Sequence, residues 1–196
     1  MMSIQLLYSR QVPRTINCDP DMLRGTGDIT NDEVLAILSQ VQHKQPIGNA
    51  VLNAQIALDQ SARALLIKSL TQSLIADSVN ESIATALAKT AVFEVCDSPA
   101  CPRCKGTGLF IKPGKGLIEC SKCHGVGNFI PSGRALYNKV ISYLPEEQKL
   151  SLGMFNKKWY DTYMEIVDRL HSEAGDAANC AKGILRQIEN TGILIR

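Results

Sequence analysis

Aromatic residues are scarce, at 5% of 196 positions with a single tryptophan, Trp159, so burial must rest on aliphatic side chains. Long apolar runs are missing as well. No stretch of about 18 apolar residues occurs, which excludes a membrane-spanning helix. The opening MMSIQLLYSRQVPR lacks a basic segment followed by a long apolar one, so no signal peptide is read there. The P-loop, GxSxG and HExxH motifs are absent. His43, His124 and His171 have no recognisable partner arrangement, and the carboxylates are scattered on helices as solvated faces. The chain therefore reads as not an enzyme, with no small-molecule substrate and no membrane partner. The expected compartment is a reducing cytoplasm, where clustered cysteines are more often metal ligands than disulfides.

The charge total is also small, +2, but it is unevenly spread. Residues 1–100 carry 7 Lys/Arg against 10 Asp/Glu, and residues 140–196 carry 7 against 8. Residues 101–139 carry 7 (Arg103, Lys105, Lys112, Lys115, Lys122, Arg134 and Lys139) against Glu119 alone. Such a segment attracts polyanions and steers their approach. A solvated basic loop is the plainer alternative.

The same segment holds the sequence's clearest motif. Cys101-Pro-Arg-Cys104-Lys-Gly-Thr-Gly108 returns as Cys120-Ser-Lys-Cys123-His-Gly-Val-Gly127. Two residues between cysteines let both sulfurs of one turn face one ion, and two such turns complete a tetrahedron. The 15 intervening residues fall in the range of a four-cysteine zinc site. Cys101, Cys104, Cys120 and Cys123 are the expected ligands of one structural zinc ion. Four protein ligands leave no open position for catalysis. Binding of this kind is worth about 10–16 kcal/mol in small zinc modules, so metal removal is expected to unfold the segment. An iron–sulfur cluster or a redox dithiol pair are the alternatives for the same thiols. The glycines are expected to supply the tight turns whose N–H groups face sulfur. His124 reads as a solvent or phosphate contact, Cys96 as a helix-end core residue, and Cys18 and Cys180 as small buried hydrophobes.

Around this segment the pattern is helical, and the fold class expected is mainly α: a helical bundle with an inserted four-cysteine zinc module of small β-ribbon and loops, followed by a helix-turn-helix-like pair. Four regions are expected: a weakly ordered arm 1–28, interrupted by Pro13, Pro20, Gly25 and Gly27; a helical region 29–97; the zinc module 98–130; and C-terminal helices 131–196. Thr30 and Glu33 form a capping-box pattern ahead of Val34, Leu35, Leu38 and Val41. Helices follow over about 47–58, 59–76 (Leu65, Leu66, Leu70 and Leu74 inward, Ile67 at the edge) and 80–95 (Ile83, Leu87 and Val95 inward), with Asp59 and Asn80 as N-caps. Residues 109–112 and 117–119 read as a short ribbon. Pro131 and Ser132 open a helix to about 144. A longer helix is expected over 154–174, inward through Phe155, Trp159, Tyr163, Ile166, Val167 and Leu170, and Gly175 is its expected stop. A last helix covers 176–189 with Ala177, Cys180, Ala181, Ile184, Leu185 and Ile188.

A basic, metal-stapled segment followed by two helices points to nucleic-acid binding. Helices 132–144 and 154–174 would place Ser151, Asn156, Lys157 and Lys158 near the start of a groove-entering helix. Serine and lysine suit phosphates, and asparagine can read adenine. Arg103, Lys105, Lys122, Arg134 and Lys139 are further candidate DNA contacts. An ordinary antiparallel helix pair with a charged edge is the plainer alternative.

CPRCKGTG, ECSKCHGVG, IPSGRALYNKVISYLP and NKKWYDTYMEIVDRLHSEA together resemble the late-gene antitermination protein Q family of lambdoid phages, over about residues 46–190. The resemblance implies a transcription antitermination factor that binds late-promoter DNA, engages bacterial RNA polymerase with its sigma factor, and carries the enzyme through terminators in the bacterial host cytoplasm. It implies that the four cysteines hold zinc and that residues 134–144 and 151–163 form the DNA-reading unit. Leu152 stands where the family often has a tryptophan, and residues 1–45 do not align. CxxCxGxG also occurs in DnaJ-type co-chaperones, so a zinc module binding unfolded chains is one rival. A zinc-dependent DNA-binding repressor is the other.

Overall fold

A computed structural model of the chain describes residues 3–10, 30–97, 101, 103–105, 107–112, 116–123 and 131–191. The fold is mainly α, with eight α-helices and one two-stranded ribbon among the described residues. None of these helices is long and apolar enough to cross a membrane.

The chain divides into two compact units, residues 1–69 with 166–196 and residues 70–165. Packing joins segments far apart in sequence, which composition along the chain does not record.

In the first unit, α1 (Ile4–Ser9) is capped by the Ser3 hydroxyl, which accepts from the Leu6 N–H at 3.2 Å. These positions fall within the expected arm 1–28, of which residues 1–2 and 11–28 lie outside the described residues. The helix is fixed by burial, with Leu7 and Tyr8 both fully enclosed. The Tyr8 hydroxyl donates to Asn49 Oδ1 at 2.6 Å.

Helix α2 (Asn31–Lys44) opens on the expected capping box: Thr30 N–H donates to Glu33 Oε2 at 2.6 Å and Glu33 N–H to Thr30 Oγ1 at 3.3 Å. Its buried stripe is Val34, Ile37, Leu38 and Val41, while Leu35 points outward at 58% exposure. Pro46 is the first residue of α3 (Pro46–Ile56), a position where its missing N–H would have no partner in any case. Gly48 on α3 lies against the backbone of the last helix, where an added Cβ would fall 1.9 Å from the Glu173 carbonyl oxygen.

Helix α4 (Gln60–Ala76) starts where Asp59 Oδ1 accepts from Ser61 N–H at 2.8 Å. Leu66, Leu70 and Leu74 are buried as expected, but Leu65 is 57% exposed. In the second unit, Asn80 caps α5 (Glu81–Asp97), which buries Ala84, Leu87, Ala91, Val95 and Cys96.

In the second unit, β1 (Leu109–Lys112) pairs antiparallel with β2 (Gly116–Glu119), with Phe110 opposite Ile118 and Ile111 opposite Leu117. Helix α6 (Gly133–Ser142) is capped by Ser132, which accepts from Ala135 N–H at 3.3 Å. A connection over 143–151 with a 3-10 turn at Glu146–Gln148 leads to α7 (Leu152–Lys158). This is the helix-turn-helix-like pair. The Tyr137 hydroxyl donates to the Leu150 carbonyl at 2.8 Å and its ring lies 6.0 Å from Phe155, which fixes the connection.

Two boundaries differ from expectation. The helix expected over 154–174 is broken at Trp159, whose φ of −119° leaves helical range while its indole is 8% exposed. Helix α8 (Tyr160–Thr191) then runs through Gly175 without stopping. The buried residues Leu170, Ala174, Ala177, Ala181, Ile184 and Leu185 continue the stripe across that position. A mid-helix glycine costs about 1 kcal/mol, less than the burial on either side supplies.

Candidate metal centre

Each knuckle is built from backbone bonds inside a few residues. Lys105 N–H donates to the Cys101 carbonyl at 2.7 Å, and Thr107 N–H to the Cys104 carbonyl at 3.1 Å. The Thr107 hydroxyl reaches the carbonyls of Cys104 at 2.8 Å and Leu109 at 2.7 Å. Cys120 N–H donates to the Gly108 carbonyl at 2.8 Å, which ties the second knuckle to the first. Among the described knuckle residues, the left-handed positions are Lys105 (φ 52°) and Gly108 (φ 71°). A lysine therefore takes the strained position directly after the first Cys-x-x-Cys, where glycine was not needed; such outliers concentrate at ligand clamps.

The result is four thiols, all under 6% exposed, whose sulfurs lie within 4.8 Å of one another. Cys101 and Cys120 sulfurs are 4.0 Å apart, and Cys104 and Cys123 sulfurs 3.7 Å. A tetrahedron with metal–sulfur bonds of about 2.3 Å has edges of about 3.8 Å. Disulfide bonding needs about 2.05 Å, so the four thiols stand apart as free thiols at spacings compatible with a metal site.

Electrostatics favour thiolate. The N–H of Cys104 bonds the Cys101 sulfur and, against the upward push of burial, with further help from Arg103 N–H, holds that thiol down to about 7. Burial pushes the Cys120 thiol up, but the N–H groups of Lys122 and Cys123 outweigh it and leave it lowered. These donors lie within each Cys-x-x-Cys turn; the glycines expected to supply N–H groups after each pair, Gly106, Gly125 and Gly127, lie outside the described residues.

One wall of the cluster is Phe110, packed on the four cysteines. The Arg103 guanidinium lies 4.2 Å from the Phe110 ring centre and donates to Ser121 Oγ at 2.7 Å, clamping one knuckle to the other. Arg103 thus has a structural task beside any contact with a partner. Lys105 and Lys122 are exposed on the knuckles. Arg134, Asn156, Lys157 and Lys158 are exposed on α6 and α7, with the Lys158 ammonium 4.9 Å from the Trp159 ring centre. The Ser151 hydroxyl caps α7, accepting from Met154 N–H at 3.2 Å. Lys139 is turned toward α5, its ammonium 4.0 Å from the Phe93 ring centre. His124 and Cys18 lie outside the described residues.

Fold and site together define a mainly helical protein with a paired-knuckle four-cysteine cluster compatible with a metal site. The chain belongs to the family described as Conserved hypothetical protein CHP02642, whose model matches residues 1–100 and 97–190. No curated protein matches the sequence.

Proposed function

We propose that this protein is a zinc-stapled DNA-binding factor that acts in transcription as an antiterminator, engaging late-promoter DNA and bacterial RNA polymerase with its sigma factor. The observation that carries the reading is the four-cysteine cluster set inside the chain's most basic segment. A single ion bound by four sulfurs of this spacing is best satisfied by zinc, which has no geometric preference of its own and takes thiolate readily. The ion would hold both knuckles rigid, and its four thiolates would leave the segment 101–139 with a net charge of about +4. Lys105 and Lys122 on the knuckles, with Arg134, Asn156, Lys157 and Lys158 on the helix pair, are the proposed DNA contacts. Ammonium and guanidinium groups neutralise phosphates and release counterions, so affinity would fall steeply with salt. The resemblance in sequence supplies the step from DNA binding to antitermination.

The test has two parts. Selection from a randomised duplex pool, followed by mobility shifts with and without chelator, reads DNA binding. Transcription across an intrinsic terminator by bacterial RNA polymerase holoenzyme, from a template carrying the selected site at its promoter, reads antitermination. Metal-dependent duplex binding with raised readthrough is expected. Binding with unaltered readthrough would leave the repressor reading. Absence of duplex binding, with capture of an unfolded polypeptide, would favour the co-chaperone reading.

A further inference from the structure

Helices α5 and α6 each carry a lysine followed four residues later by an aromatic, Lys89 and Phe93 on one, Lys139 and Tyr143 at the end of the other. The pairs cross. The Lys139 ammonium lies 4.0 Å from the Phe93 ring centre and 5.4 Å from that of Tyr143, and the Lys89 ammonium lies 5.6 Å from Tyr143. Both rings are unusually open, Phe93 at 43% and Tyr143 at 37% exposure. Two like charges therefore converge on one exposed ring, and among the described residues neither has a carboxylate within ion-pair distance. The nearby Glu94 carboxylate is occupied, accepting from the Tyr163 hydroxyl at 2.5 Å.

From this square we infer that the α5–α6 surface binds single-stranded nucleic acid, a function that goes beyond the proposed duplex binding and uses other residues. Two open rings offer flat faces to bases, and two ammoniums offer contacts to the phosphates between them, the combination that single-strand binding requires. A duplex keeps its base faces inside the stack and cannot use the rings. On binding, each ammonium slides from ring to phosphate and the base takes its place over the ring. An acidic peptide could meet the ammoniums but has no use for the rings.

The experiment uses the full, metal-loaded chain and fluorescence anisotropy with labelled oligo(U), oligo(dT), and the same oligo(dT) annealed to oligo(dA). The single strands are expected to bind. Phe93→Leu and Tyr143→Leu keep the apolar bulk and remove the rings; each should weaken single-strand binding roughly tenfold with duplex binding unchanged. Lys89→Gln should lower the salt slope by about 0.7. A preference between oligo(U) and oligo(dT) tells RNA from DNA, and either supports the inference. Equal losses on duplex, leucine variants that bind like wild type, failure of both single strands to bind, or displacement by poly-glutamate as readily as by oligonucleotide would each overturn it. Chelator-sensitive duplex binding reports separately on the zinc reading, so the two can fail independently.

Discussion

Two glycines inside helices should respond to alanine with opposite signs. At Gly48 an added Cβ would stand 1.9 Å from the Glu173 carbonyl oxygen, 2.6 Å from its carbon and 2.8 Å from Ala177 Cβ. Two of those atoms are backbone and cannot rotate away. Restoring ordinary contact at about 3.5 Å requires α3 to retreat from α8 by roughly 1.5 Å, and a gap even half that size forfeits a quarter to a half of each contact's attraction. Overpacking of this kind costs about 3 kcal/mol. The better helix propensity of alanine returns about 1 kcal/mol, leaving a net loss of about 2 kcal/mol. At Gly175 nothing lies within 4 Å of the added Cβ, so only the propensity gain of about 1 kcal/mol remains. Both residues belong to the same compact unit, so they report on the same transition. Thermal unfolding followed by circular dichroism should show Gly48→Ala lowering Tm by about 4–8 °C and Gly175→Ala raising it by about 2–4 °C. A Tm for Gly48→Ala at or above wild type would refute the close approach of α3 and α8.

Elemental analysis of untagged protein should find one zinc per chain, and Cys120→Ser should remove it and make the ribbon sensitive to protease while the helical signal falls little; retention of the ion in that variant would contradict the four-thiol cage. Burial, and then the neighbouring Cys180, raises the Tyr8 phenol, and burial, then the bond to Glu94, raises that of Tyr163. The unfolded chain loses these protons near pH 10 and the folded chain does not, so their contribution to stability is complete below about pH 10 and lost as pH rises beyond it. Absorbance titration should therefore show two of the five tyrosines silent until alkaline unfolding, and five equivalent ionisations would be the contrary result. Lys157→Ala should weaken duplex binding at every sequence alike and reduce the salt slope by about 0.9, whereas an unchanged slope would remove that side chain from the contact surface.

What the sequence disclosed is chemistry completed within a few residues. The Thr30–Glu33 box, the Asp59, Asn80 and Ser132 caps, the two knuckles and the ribbon between them are each closed by bonds over short separations, so residue type and spacing suffice to find them. What it withheld depends on partners far along the chain. Helix α1 has no period of its own and is held through Tyr8 to Asn49, 41 residues away. Leu35 and Leu65 satisfy a helical stripe as well as Val34 and Leu66 do, and only the facing elements decide which of two adjacent apolar residues turns inward. Gly175 carries the mark of a helix end, yet the stripe of small residues beyond it, Ala177 and Ala181, packs well enough to carry α8 onward.

The α5–α6 square follows the same logic from the other side. Its signal, a lysine and an aromatic four residues apart, is written twice in the sequence, at 89–93 and 139–143. Each copy alone is an unremarkable exposed pair. The chemistry exists only because the two helices lie side by side and exchange partners, placing Lys139 on Phe93 and Lys89 on Tyr143. Ion pairing does not explain such an arrangement, since the lysines meet rings and not carboxylates, and core packing does not explain it, since both rings stay open to water. Attraction between ammonium and ring face is worth about 0.5–1 kcal/mol at exposed sites, less than the stacking that a base on the same ring would supply, about 1–3 kcal/mol.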